Sequence, residues 1–163
     1  MGNESKLAAE VRDIIRRNRW LILSTVSHRG SPQSSLVVYA SDGYMMYILT
    51  GLDTRKAKNI AIYPRVSVTI PFYKNIIHRM IGVAPPAAIS FKADVEVLDF
   101  SDKEASEFYQ RVLKFKLPDN VSETGVWLRL TPGNIATCHG VGVGLLDLRD
   151  PEKAHKVIRL GNH

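Results

Sequence analysis

The 163-residue chain has one cysteine, Cys138, so no disulfide can form within it. This excludes the disulfide-stapled secreted scaffolds and suits a reducing cytoplasm, where we expect the protein to reside. Long apolar runs are missing as well. The longest uncharged stretch near the middle, "MIGVAPPAAISF", falls short of the ~20 residues a spanning helix needs, and two prolines interrupt it. The first residues, "MGNESKLAAEVRDIIRRNR", read as an amphipathic helix with three acids, not as an apolar signal core. No membrane partner is therefore expected. Neither "GxGxxG" nor "GxxxxGK" followed by Ser or Thr occurs, which removes the two commonest glycine-rich phosphate loops. No catalytic triad or paired-carboxylate signature is visible, and the histidines and lone cysteine lack metal-ligand spacing, so no metal is expected.

What is present is a 45% apolar chain, long enough for one sizeable core. A compact domain of this size buries roughly two thirds of the surface exposed by its unfolded chain, and one domain over residues 1–163 is expected. The net charge of +6 is compatible with an anionic ligand, with nucleic acid or with a plain basic surface. No recognition helix or aromatic motif accompanies it, so no nucleic-acid partner is expected.

Periodicity supplies the elements. Leu7, Val11, Ile14 and Ile15 line one face of a helix over 5–18, with Ser5 available as a cap. "WLILSTV", "PQSSLVVYA" and "YMMYILT" read as strands joined by the turns "SHRGS" and "SDG", where Gly30 is free to take positive φ. Asp53 is placed to cap a helix beginning at Thr54, with Ala57, Ile60 and Ala61 as its apolar face and Pro64 forcing its end. "RVSVTI" is a further strand. Residues 72–86 read as a variable insert, either loop or short helix. Beyond it, apolar and polar residues alternate from Ile89 to Leu98, as in a strand with one wet face. "SDKE" at 101–104 has capping-box spacing and starts a helix to about Phe115. "VWLRLTPGNIATCH" reads as a strand, a turn and a second short strand, and a last short helix begins near Pro151. Short turns between strands predict a mainly β fold with peripheral helices: a six-stranded antiparallel barrel, closed or partly closed, that protects several strand edges at once.

"TGLDTRKAKNI" raises an electrostatic question. Arg55, Lys56 and Lys58 crowd the start of a helix, where unpaired amides and the positive dipole end already favour an anion. Each misplaced cation costs roughly 0.3–1 kcal/mol at low salt. A bound phosphate reverses that sign, taking bonds from backbone amides, the Thr54 hydroxyl and the planar Arg55 fork, with Thr50 on the other side of the turn. A solvated, solubilising surface helix is the competing explanation.

"ILSTVSHRGSPQSSLVVYASDGYMMYILTGLDTRKAKNIAIYPRVSVTI" resembles the pyridoxamine 5'-phosphate oxidase-like FMN-binding split-barrel superfamily. "FKADVEVLDF" and "VWLRLTPGNI" are similar to later strands of the same family. The resemblance implies a split β-barrel and a homodimer with FMN sites at the subunit interface. It implies that Thr54, Arg55 and Lys56 hold the flavin phosphate, with Lys58 nearby. Ser34, Ser35, Leu36 and Val37 would run beside the flavin, and Leu49 and Thr50 would meet the ring or ribityl chain. Ser34 and Tyr39 stand where family oxidases often carry an arginine and a lysine. "IRLGNH" also lacks the arginine and histidine pattern that binds substrate in true pyridoxamine phosphate oxidases.

An FMN-dependent oxidoreductase with a small-molecule substrate or electron donor is thus implied. An F420-dependent reductase and a non-enzymatic flavin- or haem-binding protein are the alternatives. No catalytic residue can be named, because a flavin carries its own chemistry. Tyr39, Phe72, Tyr73, His78 and Arg79 are substrate-pocket candidates: aromatics to stack on a ligand, cations to meet an anionic one. Dimer core and ordinary loop surface explain the same residues. For Tyr39 the competing position is the core. Alternation along "VWLRL" turns Trp127 away from the barrel, towards a helix or a partner. Cys138 and His139 point to opposite strand faces, which argues against a reactive pair.

Overall fold

The computed structural model describes residues 2–75, 79–80, 86–114, 116–117 and 124–161. Helix α1 (Gly2–Arg17) leads into an antiparallel series: β1 (Trp20–Val26), β2 (Pro32–Val38), β3 (Ala40–Ser41) and β4 (Met46–Gly51). Helix α2 (Arg55–Ile62) follows, then β5 (Arg65–Phe72), β6 (Ala87–Asp99), α3 (Lys103–Leu113), β7 (Gly125–His139), a 3₁₀ turn (Leu146–Arg149), α4 (Pro151–Ala154) and β8 (His155–Arg159). Strand order is β2-β1-β5-β6-β7-β4-β3, with β8 also paired to β7. The sheet curls into the split barrel that the family resemblance implies. It has eight strands because two short ones, β3 and β8, add to the six longer ones.

The split arises on β7. Its first half pairs with β4 from Leu130 to Gly125, and its second half pairs with β8 from Ile135 to His139. β6 spans both halves, with a register shift between Phe91 and Ala93. The expected turn at Pro132–Gly133 is this bulge, which lets one continuous strand accommodate a proline. Alternation sends Leu21, Leu23, Val66, Val68, Ile70, Ile89, Leu128 and Leu130 into the barrel, where α1 adds Val11 and Ile15. A second cluster lies outside it: Trp127 and Tyr47 pack with Ala105 and Tyr109 of α3. The Trp127 indole donates to the Phe100 carbonyl at 3.1 Å. Helix packing, one of the two positions expected outside the barrel, is where Trp127 lies.

Several local expectations change. Thr54, not Asp53, caps α2: its backbone is extended and its hydroxyl accepts from Ala57 N. Asp53 instead sits 3.9 Å from Lys58 on the surface. Ala61 is exposed, leaving Ala57, Asn59 and Ile60 as the buried residues of α2. Asp102 rather than Ser101 caps α3, because its carboxylate reaches Ala105 N at 2.9 Å while Ser101 bonds back to Asp99. Pro151 does open a helix, but the chain returns to the sheet as β8 after one turn. No helix among the described residues is long and apolar enough to cross a membrane.

Candidate functional site

The start of α2 and the β1–β2 hairpin face each other across a recess of about 460 Å³. Ser27, His28, Ser31, Pro32 and Gln33 form the hairpin wall, and Arg55, Lys58 and Asn59 form the helix wall. Gly30 takes φ of 78° at the hairpin tip, the conformation expected for that turn. Ser27 Oγ accepts from Ser31 N at 3.1 Å, which closes the loop on itself. Capping by Thr54 leaves the amides of Arg55 and Lys56 without a carbonyl partner inside the helix. Arg55 is exposed and has no ion pair among the described residues, whereas Lys58 has Asp53. Two cations and several neutral donors thus meet at one opening, beside the start of a helix. This donor set fits a phosphate.

The expected site residues divide by strand face. Thr50 is buried, with its hydroxyl 3.3 Å from that of Thr54. The Thr54 hydroxyl donates to Gly51 O at 2.8 Å, so its proton serves the turn and its oxygen serves the cap. Lys56 is half-buried beside them. Leu49 lies on the other face of β4, against the second cluster. On β2, Val37 faces the barrel core, while Ser34 and Leu36 face outwards and Ser35 is half-buried. The Ser34 hydroxyl lies 2.9 Å from that of Ser24, as a short neutral side chain on a paired strand permits.

Of the substrate-pocket candidates, Tyr39 is fully buried and its hydroxyl donates to Ile15 O at 2.8 Å. Burial holds its pKa well above the usual tyrosine range. The geometry gives Tyr39 the core position. Phe72 packs at the edge of the barrel core, and Tyr73 and Arg79 are exposed. His78 falls outside the described residues. Cys138 is buried in the barrel while His139 lies on the outer face of β7, so the two form no reactive pair. Burial pushes the Cys138 thiol up to about 12. Among the described residues, no cluster of three or more His, Cys, Asp or Glu side chains could hold a metal.

The hairpin wall and Asn59 lie outside the site residues expected from the sequence. Asn59 is only 8% exposed. Its Nδ2 donates to Thr25 Oγ1 at 3.0 Å and to Gln33 Oε1 at 3.4 Å. A polar residue between Ala57 and Ile60 was the available signal, since an amide on the packed side of a short helix needs a partner.

Residues 7–138 match the family described as Pyridoxamine 5'-phosphate oxidase. The chain matches no curated protein. Among solved structures, it resembles General Stress Protein 26 from Bacillus anthracis str. Sterne at 18% identity and a TM-score of 0.62, over 94% of this chain and 98% of that one. HutZ, the haem storage protein from Vibrio cholerae, aligns at 18% identity and a TM-score of 0.62, over 83% of this chain and 96% of that one. A protein named F420 Reductase aligns at 17% identity and a TM-score of 0.58, over 75% of this chain and 92% of that one. These likenesses carry the fold.

Proposed function

The chain belongs to the pyridoxamine 5'-phosphate oxidase family, and from that premise we propose that it is a cytoplasmic, FMN-binding oxidoreductase with a small-molecule substrate. The observation that carries this reading is the recess at the start of α2. It combines the Arg55 guanidinium, which has no ion pair among the described residues, and the adjoining Lys58 at a helix start whose first amides lack carbonyl partners inside the helix. Arg55 would hold two phosphate oxygens in its planar fork, and the amides would take a third. Lys56 and Lys58 would make the potential of the opening more positive. FMN, when bound, supplies reversible acceptance of a hydride or of single electrons. The protein's part is to bind and orient the cofactor, and the exposed strip of β2 at Ser34 and Leu36 gives it a flat surface beside the site.

The same reading includes a homodimer. The outer face of the sheet carries a row running Leu36, Ile22, Thr69, Ser90, Thr137 and Val157 across six strands. Leu36, Ile135 and Val157 are 65%, 57% and 64% exposed there. The row itself carries no charge, Lys92 and Arg159 stand to one side of it, and exposed apolar residues of this breadth are suited to a second copy of the chain. It adjoins β2, so a partner seated on it would stand next to the flavin.

Titration of the cofactor-free protein with FMN tests the proposal. We expect saturation near one FMN per chain, with a perturbed flavin spectrum and weaker binding by riboflavin, which lacks the phosphate. Binding of F420 or haem with none of FMN would replace the proposal with the corresponding alternative.

A further inference from the structure

We propose that Asn59 is a positioning residue that sets the distance between the two walls of the recess, and so governs recognition of the phosphate monoester. The inference rests on the FMN reading of that site. The recess is built from two elements far apart in sequence. One wall is a hairpin turn and the other is the first part of a short helix. Beyond packing, a defined bond joins them: the Asn59 amide donates to Thr25 on β1 and reaches Gln33 on β2. Thr25 is 2% exposed and Asn59 8%, so the Asn59–Thr25 bond is shielded from water.

The geometry gives this bond leverage over Arg55. Asn59 lies four residues after Arg55, one helical turn along the same side of α2. Fixing Asn59 against β1 fixes the helix rotation that aims Arg55 and Lys58 at the hairpin wall. The need for a tether follows from Ser34. That side chain is bonded to Ser24 and supplies no cation, so the helix wall carries the charge of the site and its placement decides affinity.

Two variants break the tether from opposite sides. Asn59→Ala removes the donor. Thr25→Val removes the acceptor at a residue that does not line the recess, while keeping its shape. FMN and riboflavin affinities are measured for both, with melting temperatures alongside. We expect each variant to weaken FMN about 5- to 20-fold and riboflavin less than 2-fold, and the double variant to match the single ones. A merely structural role would weaken both flavins in parallel, and that result, or an unchanged preference for FMN, overturns the inference. If Asn59→Ala does not fold, Thr25→Val decides alone. Failure of the wild-type protein to bind FMN would remove the functional proposal and this inference together. Tight wild-type binding with an unaltered preference removes only the inference.

Discussion

Arg55 and Lys58 face the same recess, but their charges are differently engaged. Lys58 has Asp53 at 3.9 Å and Arg55 has no ion pair among the described residues. A charge-assisted bond is worth roughly 1.5–3 kcal/mol. Arg55→Ala should therefore weaken FMN roughly 10- to 150-fold, and Lys58→Ala much less, in a calorimetric titration. Equal affinities for both variants and the wild type would remove Arg55 from the site. Cys138 allows a second test at this scale. The unfolded thiol ionises near its ordinary value of 9.0, whereas the folded one stays neutral up to about 12. Stability tied to the neutral thiol is thus intact below pH 9 and is lost as pH rises from 9 towards 12. Urea midpoints should fall between pH 8 and pH 10.5, and fall less steeply in Cys138→Ala. Tyr39, also raised by burial, adds to the decline above pH 10 in both proteins. The same slope in wild type and variant would contradict the assignment.

Among the elements, α3 offers the clearest backbone test. It ends on Lys114 in the left-handed region, with φ of 52°, the sole positive-φ residue other than glycine among the described residues. Lys114→Gly relieves that conformation and should stabilise the protein by about 0.5–1 kcal/mol in chemical denaturation. A loss of stability would mean that the lysine side chain contributes more than its backbone costs. Element type was largely legible in the sequence where one face is buried. Alternation along β6 and the helical spacing of Leu7, Val11, Ile14 and Ile15 each identified a core face. The failures lie where tertiary pairing decided the outcome. Pro132 and Gly133 look like a turn, yet β7 bulges there against β6 and continues as one strand. "HKVIR" is too short to reveal itself, and becomes a strand because the second half of β7 needs a partner. Caps slipped by one residue because Asp53 and Thr54, and Ser101 and Asp102, are adjacent cap-forming residues. Only the turn geometry chooses between them.

For the whole molecule, the open face of the sheet predicts self-association. The mass in solution should be twice that of the chain, and Ile135→Arg, which places a charge on that face, should yield monomer. A wild-type monomer at micromolar concentration would contradict the dimer. The site itself was half legible. Its cations were visible as an electrostatic conflict at a helix start. Its second wall was not, since Ser27, His28 and Gln33 become neighbours of Arg55 only when β1 and β2 fold back beside α2. The Asn59 tether was hidden for the same reason: Thr25 and Asn59 are distant in sequence, and their contact exists only in the closed barrel. The most direct test of the account is the identity of the cofactor released from protein purified without added ligand, read by mass spectrometry and absorbance. Release of FMN, near one per chain, is the predicted result; release of F420 or haem with no affinity for added FMN would contradict it.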